Sequence, residues 1–372
     1  MSLLLAAICA VMLACANGAN DNFKGVATLF GSGVSDYKKA LNWATLTTLA
    51  GSVTAIWFTA KLVATFSGKL FVSAQTLATP GFPLAVCAAC AATVLLASRI
   101  GAPISTTHAL AGSLLGAAFA TPDSAVNWSK AGTQIFLPLA VGPVVALVSA
   151  CVLYPIFSAI RARIGITRES CICIGEEWVP QAQAVGNAAT LRGIKITVAV
   201  DQPQVCQDRY TGSFVGMPAQ KLIDGLHYLS AGAVSFARGL NDTPKIVAVA
   251  LLAAPFLQGS MSFIGVGVII AMGGLLGARR VAETMAHKIT VMNPGQGLTA
   301  NLITSALVLV ASPMGWPLST THVSCGALFG IGAVTRQAKW KTVAGILAAW
   351  LVTLPLAAAL GALTMRAQFL IS

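Results

Sequence analysis

Charge is what this sequence has least of. Only 9% of its 372 residues are Asp, Glu, Lys or Arg, against about 25% in soluble domains. So few charges cannot clothe a water-soluble globule. With 56% hydrophobic residues and a mean hydropathy of +0.80, the chain reads as a polytopic membrane protein. Aromatic residues are scarce too, at 7%, and no aromatic-basic stripe accompanies the net charge of +12. Nucleic acid is therefore not an expected partner; the lipid bilayer is. The basic residues sit at the ends of apolar segments, where they fix topology. Residues 1–16 are apolar but lack the basic start of a signal peptide, and they run straight into a polar phrase. They are read as the retained first half of a broken helix.

The nine cysteines offer no convincing metal spacing. Cys87-x-x-Cys90 lies in an apolar run, where small thiols pack. Cys171, Cys173 and Cys206 fall in a central polar stretch and lack a fourth ligand. They are expected to be unpaired thiols in a small folded linker.

What the chain does have is repetition. Gly18-Ala19-Asn20-Asp21-Asn22-Phe23-Lys24 returns as Gly239-Leu240-Asn241-Asp242-Thr243-Pro244-Lys245. Downstream of each comes a second phrase, Pro103-Ile104-Ser105-Thr106-Thr107-His108 and then Pro317-Leu318-Ser319-Thr320-Thr321-His322. Thr65 and Lys69 match Thr284 and Lys288 in the same order. Aspartate and lysine inside an apolar span are costly, so such residues mark functional sites. Paired polar breaks in the two halves of a membrane protein point to a transporter's binding site.

The fold class expected is all-α and polytopic, with two inverted repeats, broken helices and re-entrant helical hairpins, plus a small central soluble linker. Residues 1–160 form the first repeat, 161–224 the linker and 225–372 the second repeat. The spans are expected to break at residues 17–22 and 238–244. Each hairpin is read as two half-length helices around a buried tip, at residues 99–103 and 313–317. The β-branched run Ile196-Thr197-Val198-Ala199-Val200 suggests a short strand in the linker. If the hairpins do not cross, each half crosses three times and the second copy is inverted. Lys38/Lys39, Arg161/Arg163/Arg168, Arg279/Arg280 and Arg336/Lys339/Lys341 then share one side. By the positive-inside rule that side is the cytoplasm, with the linker inside, both termini outside and a bacterial inner-membrane location.

A Ser-Thr-Thr opening a half-helix presents hydroxyls, free amides and a positive dipole end, which together suit an anion. Substrate contacts are therefore expected from Ser105, Thr106, Thr107, Ser319, Thr320 and Thr321, with Asn20, Asn241, Lys24 and Lys245. The blander reading of the serines is plain N-capping. Asp21 and Asp242 suit a cation or a proton, and an Asp–Lys ion pair that merely fixes each helix break is the competing reading. Glu283 is a further coupling candidate. His108 and His322 can relay protons or simply pack. Arg99, Thr65 and Thr284 are accessory candidates. No catalytic residue, resident metal or cofactor is expected. A pore lined by the same broken helices is the rival from another class.

At these residues the chain resembles the PiT family of inorganic phosphate transporters, which also includes sulfate permeases. The family signature is Gly-Ala-Asn-Asp-Val-Ala-Asn-Ala in each half and Pro-x-Ser-Thr-Thr-His in each hairpin. Gly18 to Asp21 and Asn241-Asp242 match the first, and both hairpin phrases match the second. Glu283-Thr284 and Lys288-Ile289 also look familial. The resemblance implies alternating access around a midplane site, with inorganic phosphate or sulfate as substrate, and a homodimer. Lys24 and Lys245 replace the signature's last asparagine, in a neighbourhood that is implied to hold sodium in sodium-coupled members. An ammonium there repels or replaces that ion, so the expected coupling ion is H+, with Na+ as the alternative. Some members also carry an acid where this chain has Asn301.

Overall fold

The computed structural model describes residues 2–167, 169–181, 191–210, 215–253 and 259–371; Arg168 of the basic groups lies outside them. Two compact units emerge, one from residues 1–153 with 227–372, the other from residues 154–226.

The larger unit is helical. Among the described residues six helices are long and apolar enough to cross a bilayer, or seven if the bent pair Tyr37–Phe58 and Ala60–Phe66 is taken as one span. The long helix Leu137–Arg163 exposes Val141, Val144, Val148 and Val152. In an integral membrane protein such a face meets lipid, a solvent as apolar as the side chains themselves.

Both hairpins are built from the same local signals. The first pairs Phe82–Ile100 with Thr106–Ala120, and the second pairs Pro294–Met314 with Thr320–Val334. Gly101 (φ 72°) and Gly315 (φ 80°) end the first arms in the left-handed region, where glycine carries no Cβ penalty. Two residues on, Pro103 and Pro317 prevent the helix from resuming at once. Ser105 and Ser319 then cap the second arms, each accepting a backbone N–H, from His108 and His322 respectively, at 3.2 Å. The first arms are longer than expected, 19 and 21 residues. Pro83 and Pro294 sit at helix starts, where proline favours initiation, so these arms are not half-length.

The two breaks differ from each other. The opening helix Ser2–Asp21 runs unbroken through Asn17, and the departure comes afterwards, as a 3-10 turn over Asn22–Gly25 and a short helix Ala27–Gly31. In the second copy Ala219–Ala253 stays helical through residues 238–244 even though Pro244 lies inside it. Proline removes one backbone donor and stresses the turn before it, yet the helix continues through it. A Cβ on Gly239 would come within 2.0 Å of the Thr48 carbonyl oxygen, and one on Gly18 within 1.9 Å of that of Ile270. The glycine of each phrase thus lets its helix touch backbone from the opposite half, the small-residue packing that membrane helices use.

The smaller unit is not all-α. It holds an antiparallel sheet of order β2-β1-β3, with β1 Cys171–Gln181, β2 Leu191–Asp201 and β3 Val215–Pro218. The run 196–200 lies within β2. The expectation of unpaired thiols needs correcting, because Cys173 forms a disulfide with Cys206. Cys173 is on the inward face of β1, and the helix Pro203–Arg209 lays Cys206 against it. Cys171 remains a buried free thiol.

Candidate functional site

Asn17, Asn20, Asp21 and Lys24 are spaced i, i+3, i+4 and i+7; the first three share one face of the opening helix, and Lys24 follows in the 3-10 turn. Arg238, Asn241, Asp242 and Lys245 repeat that spacing. All eight are buried. Burying a charge costs several kcal/mol after relaxation, so it persists only with partners.

Lys24 is well supplied. Its Nζ donates to the Asn20 Oδ1 at 2.6 Å, to the Ile104 carbonyl at 2.8 Å, to the Thr321 Oγ1 at 2.8 Å and to the Asp21 carboxylate. The other oxygen of Asp21 accepts from Asn17 Nδ2 and Thr106 Oγ1, both at 2.9 Å. Asn20 Nδ2 donates to Ser98 Oγ and to the Ala102 carbonyl, both at 3.1 Å. The opening helix is thereby fastened to the first hairpin turn, while Lys24 reaches across to the second.

The second copy mirrors this, with the lysine's carbonyl and aspartate contacts longer. Lys245 Nζ donates to Thr107 Oγ1 at 2.8 Å, to the Leu318 carbonyl at 3.0 Å and to Asp242 Oδ1 at 3.2 Å. Asn241 Nδ2 reaches the Leu318 carbonyl at 3.0 Å, and Ser312 Oγ donates to Asn241 Oδ1 at 3.3 Å. Thr320 Oγ1 stands 3.5 Å from Asp242 Oδ2, at the limit of a hydrogen bond. Each lysine therefore holds the aspartate three residues before it, a carbonyl of the hairpin in its own half and a threonine of the other hairpin.

Behind the tips the histidines meet. The His108 and His322 rings lie 4.4 Å apart, His322 stacks on Trp350 at 3.7 Å, and Trp350 Nε1 donates to the Pro103 carbonyl at 3.1 Å. Ser105 and Ser319 are spent as acceptors in their caps, which leaves each hydroxyl hydrogen free to donate.

Four expected residues stand elsewhere. Arg99 is exposed, and its carbonyl accepts from Arg280. Glu283 lies half-buried on Arg279–Glu283 and makes none of the cluster's hydrogen bonds among the described residues. Thr65 bonds the Lys61 carbonyl at 3.0 Å and lines an apolar cavity of ≈ 970 Å³ that reaches Leu318. Thr284 bonds the Arg280 carbonyl at 3.3 Å. Both threonines serve their own helices.

Sequence reasoning passed over Asn17, Ser98, Ser312 and Arg238. The signal was there: Asn17 and Arg238 stand directly before the glycine of each phrase. Asn301 is buried between Thr28 Oγ1, which donates to its Oδ1 at 3.1 Å, and Ser230 Oγ, which lies 3.3 Å from its Nδ2. A carboxylate there would leave the Ser230 contact without its amide donor.

Comparison with known proteins identifies the family. The model of a phosphate transporter family matches residues 17–361. A relative named as a phosphate permease in Thermococcus kodakarensis is 28% identical over 408 residues, spanning 98% of this chain and 97% of its own. The chloroplastic inorganic phosphate transporter 2-1 of Arabidopsis thaliana is 27% identical over 405 residues, spanning 92% and 68%. Among solved structures, a sodium-dependent phosphate transporter shares the fold at a TM-score of 0.76 and 19% identity, over 100% of both chains. The chain belongs to the phosphate transporter family.

Proposed function

We propose that this protein is a secondary transporter that carries inorganic phosphate across the membrane by alternating access, coupled to protons rather than to sodium. One observation carries the reading: Lys24 and Lys245 each join an aspartate of one half to a hairpin threonine of the other. Hydroxyls and ammonium groups are the ligands a tetrahedral oxyanion takes, and charged hydrogen bonds are the strong ones. A cation at this place would need the oxygens of Asn20, Asp21 and Asp242. The ammonium groups already hold them, so the positive charge is supplied by the chain itself. When an arriving anion draws a lysine away, its aspartate is left as a buried carboxylate ready to take a proton.

The hydrogen-bonded closure between the halves favours a carrier over a pore. Sulfate is the second oxyanion that fits the same hydroxyls. The basic groups at Lys38, Lys39, Arg279, Arg280, Arg336, Lys339 and Lys341 support a cytoplasmic side shared by all of them.

Uptake of labelled phosphate into proteoliposomes tests the reading. An inward proton gradient without sodium should drive accumulation, and Asp21→Asn should abolish it. Accumulation driven by a sodium gradient alone contradicts the coupling. Single-channel currents contradict the carrier.

A further inference from the structure

Among the described residues the buried cluster carries one positive charge too many: Asp21 stands against Lys24 and Arg238, and Asp242 against Lys245. Arg238 is the odd member. It is 1% exposed, and among the described residues none of its three guanidinium nitrogens has a hydrogen-bond partner. Its Nη1 stands 3.8 Å from Asp21 Oδ1, beyond hydrogen-bond reach, and that oxygen already receives Lys24 and Thr321. Five N–H donors without acceptors in a buried place are expensive.

The repeat makes the exception plain. In the first half the corresponding residue is Asn17, whose amide bonds Asp21 at 2.9 Å and Thr106 at 3.0 Å. Arg238 instead directs its guanidinium towards Asp21 of the opposite half. Its own side is left with the long Thr320–Asp242 contact.

We propose that Arg238 is the ligand that grips the transported oxyanion, two N–H groups to two oxygens, beside the hydroxyls of Thr321 and Thr106. The proposal rests on the phosphate reading above and deepens it. The planar fork matches a pair of phosphate oxygens better than a lysine does. The excess charge also sets a rule. Dihydrogen phosphate neutralises the site directly, whereas a dianion, hydrogen phosphate or sulfate, brings one negative charge too many and is carried with one proton on Asp21 or Asp242.

The test uses the full chain in lipid nanodiscs, with inorganic phosphate and then sulfate as probes. Thermal unfolding and direct binding are both read. Phosphate should raise the melting temperature of the wild type. Arg238→Gln should melt no lower than the wild type without anion, because it removes a buried guanidinium that lacks hydrogen bonds while Asp21 keeps Lys24, Asn17 and Thr106. It should lose the phosphate-induced rise and bind at least about tenfold more weakly, the effect of one lost charged hydrogen bond. Arg238→Lys, which keeps the charge but not the fork, should fall between the two.

Wild-type affinity in either variant overturns the proposal. If Arg238→Gln fails to fold, Arg238→Lys with undiminished phosphate affinity overturns it alone. A wild type that responds to sulfate but not to phosphate overturns the substrate assignment above instead. Loss of that sulfate response in Arg238→Gln would still support the arginine as the anion ligand.

Discussion

Asp21 and Asp242 occupy matching positions, yet their loss should differ, because their surroundings differ in charge. Asp21 has two cations, Lys24 and Arg238, whereas Asp242 has Lys245. Asp21→Asn therefore strands two buried positive charges at once. Breaking a buried pair by removing one partner costs about 3–5 kcal/mol, so this variant should sit at or above the top of that range. Lys24→Met leaves Asp21 with Arg238 at 3.8 Å and with the donors Asn17 and Thr106. Its cost should be smaller, about 1–3 kcal/mol, the penalty of an incompletely satisfied buried group. Lys245→Met removes the one ion-pair partner of Asp242 among the described residues and should fall between them. The double variant Asp21→Asn with Arg238→Gln should recover part of the loss. Thermal unfolding in detergent, followed by a thiol-reactive dye on the buried Cys87, Cys90 and Cys325, ranks all four. Lys24→Met melting as low as Asp21→Asn, or the double variant melting lower than the single, would overturn this ranking.

Further outcomes are expected. Gly239→Ala places a methyl 2.0 Å from the Thr48 carbonyl oxygen, and overpacking of this kind costs about 1–3 kcal/mol; a wild-type melting temperature would show that the helices slide apart freely. In the smaller unit, Cys173→Ser opens a cross-link over 33 residues, worth about 3–4 kcal/mol on the chain-entropy model. Limited proteolysis should then cut residues 154–226 faster in the variant and in reduced wild type alike. Asp36 caps the helix Tyr37–Phe58 in water, and accepting the Lys39 backbone N–H holds its carboxyl below the usual 3.8. Its folded form thus prefers the charged state, so the cap contributes above the unfolded value and is lost as pH falls through the folded one. The melting difference between wild type and Asp36→Ala should stay level near neutral pH and shrink below pH 3.8; a difference that grows on acidification contradicts the cap.

The hairpin turns were legible because three signals coincide within five residues. Gly101 or Gly315 stops a helix, Pro103 or Pro317 keeps it stopped, and Ser105 or Ser319 starts the next. Membrane residence was legible from charge scarcity alone. The helix through Pro244 was not, since a proline reads as a break and the close approach of Gly239 to the Thr48 carbonyl joins residues far apart in sequence. Nor was the Cys173–Cys206 bond, which depends on which face of β1 each cysteine takes once the neighbouring helix has docked. Lys24 and Lys245 announced themselves by matching. Arg238 escaped notice for the opposite reason: its counterpart is Asn17, and a search for identical phrases discards the position where the halves differ.

On the proposed reading, one anion is held jointly by the two hairpins and by charges from both halves. An experimental map of the phosphate-loaded protein decides this. The map should show a single tetrahedral density within hydrogen-bond distance of Arg238 and of a hairpin threonine from each half. Phosphate held by one half only, or bound away from both tips, would contradict it.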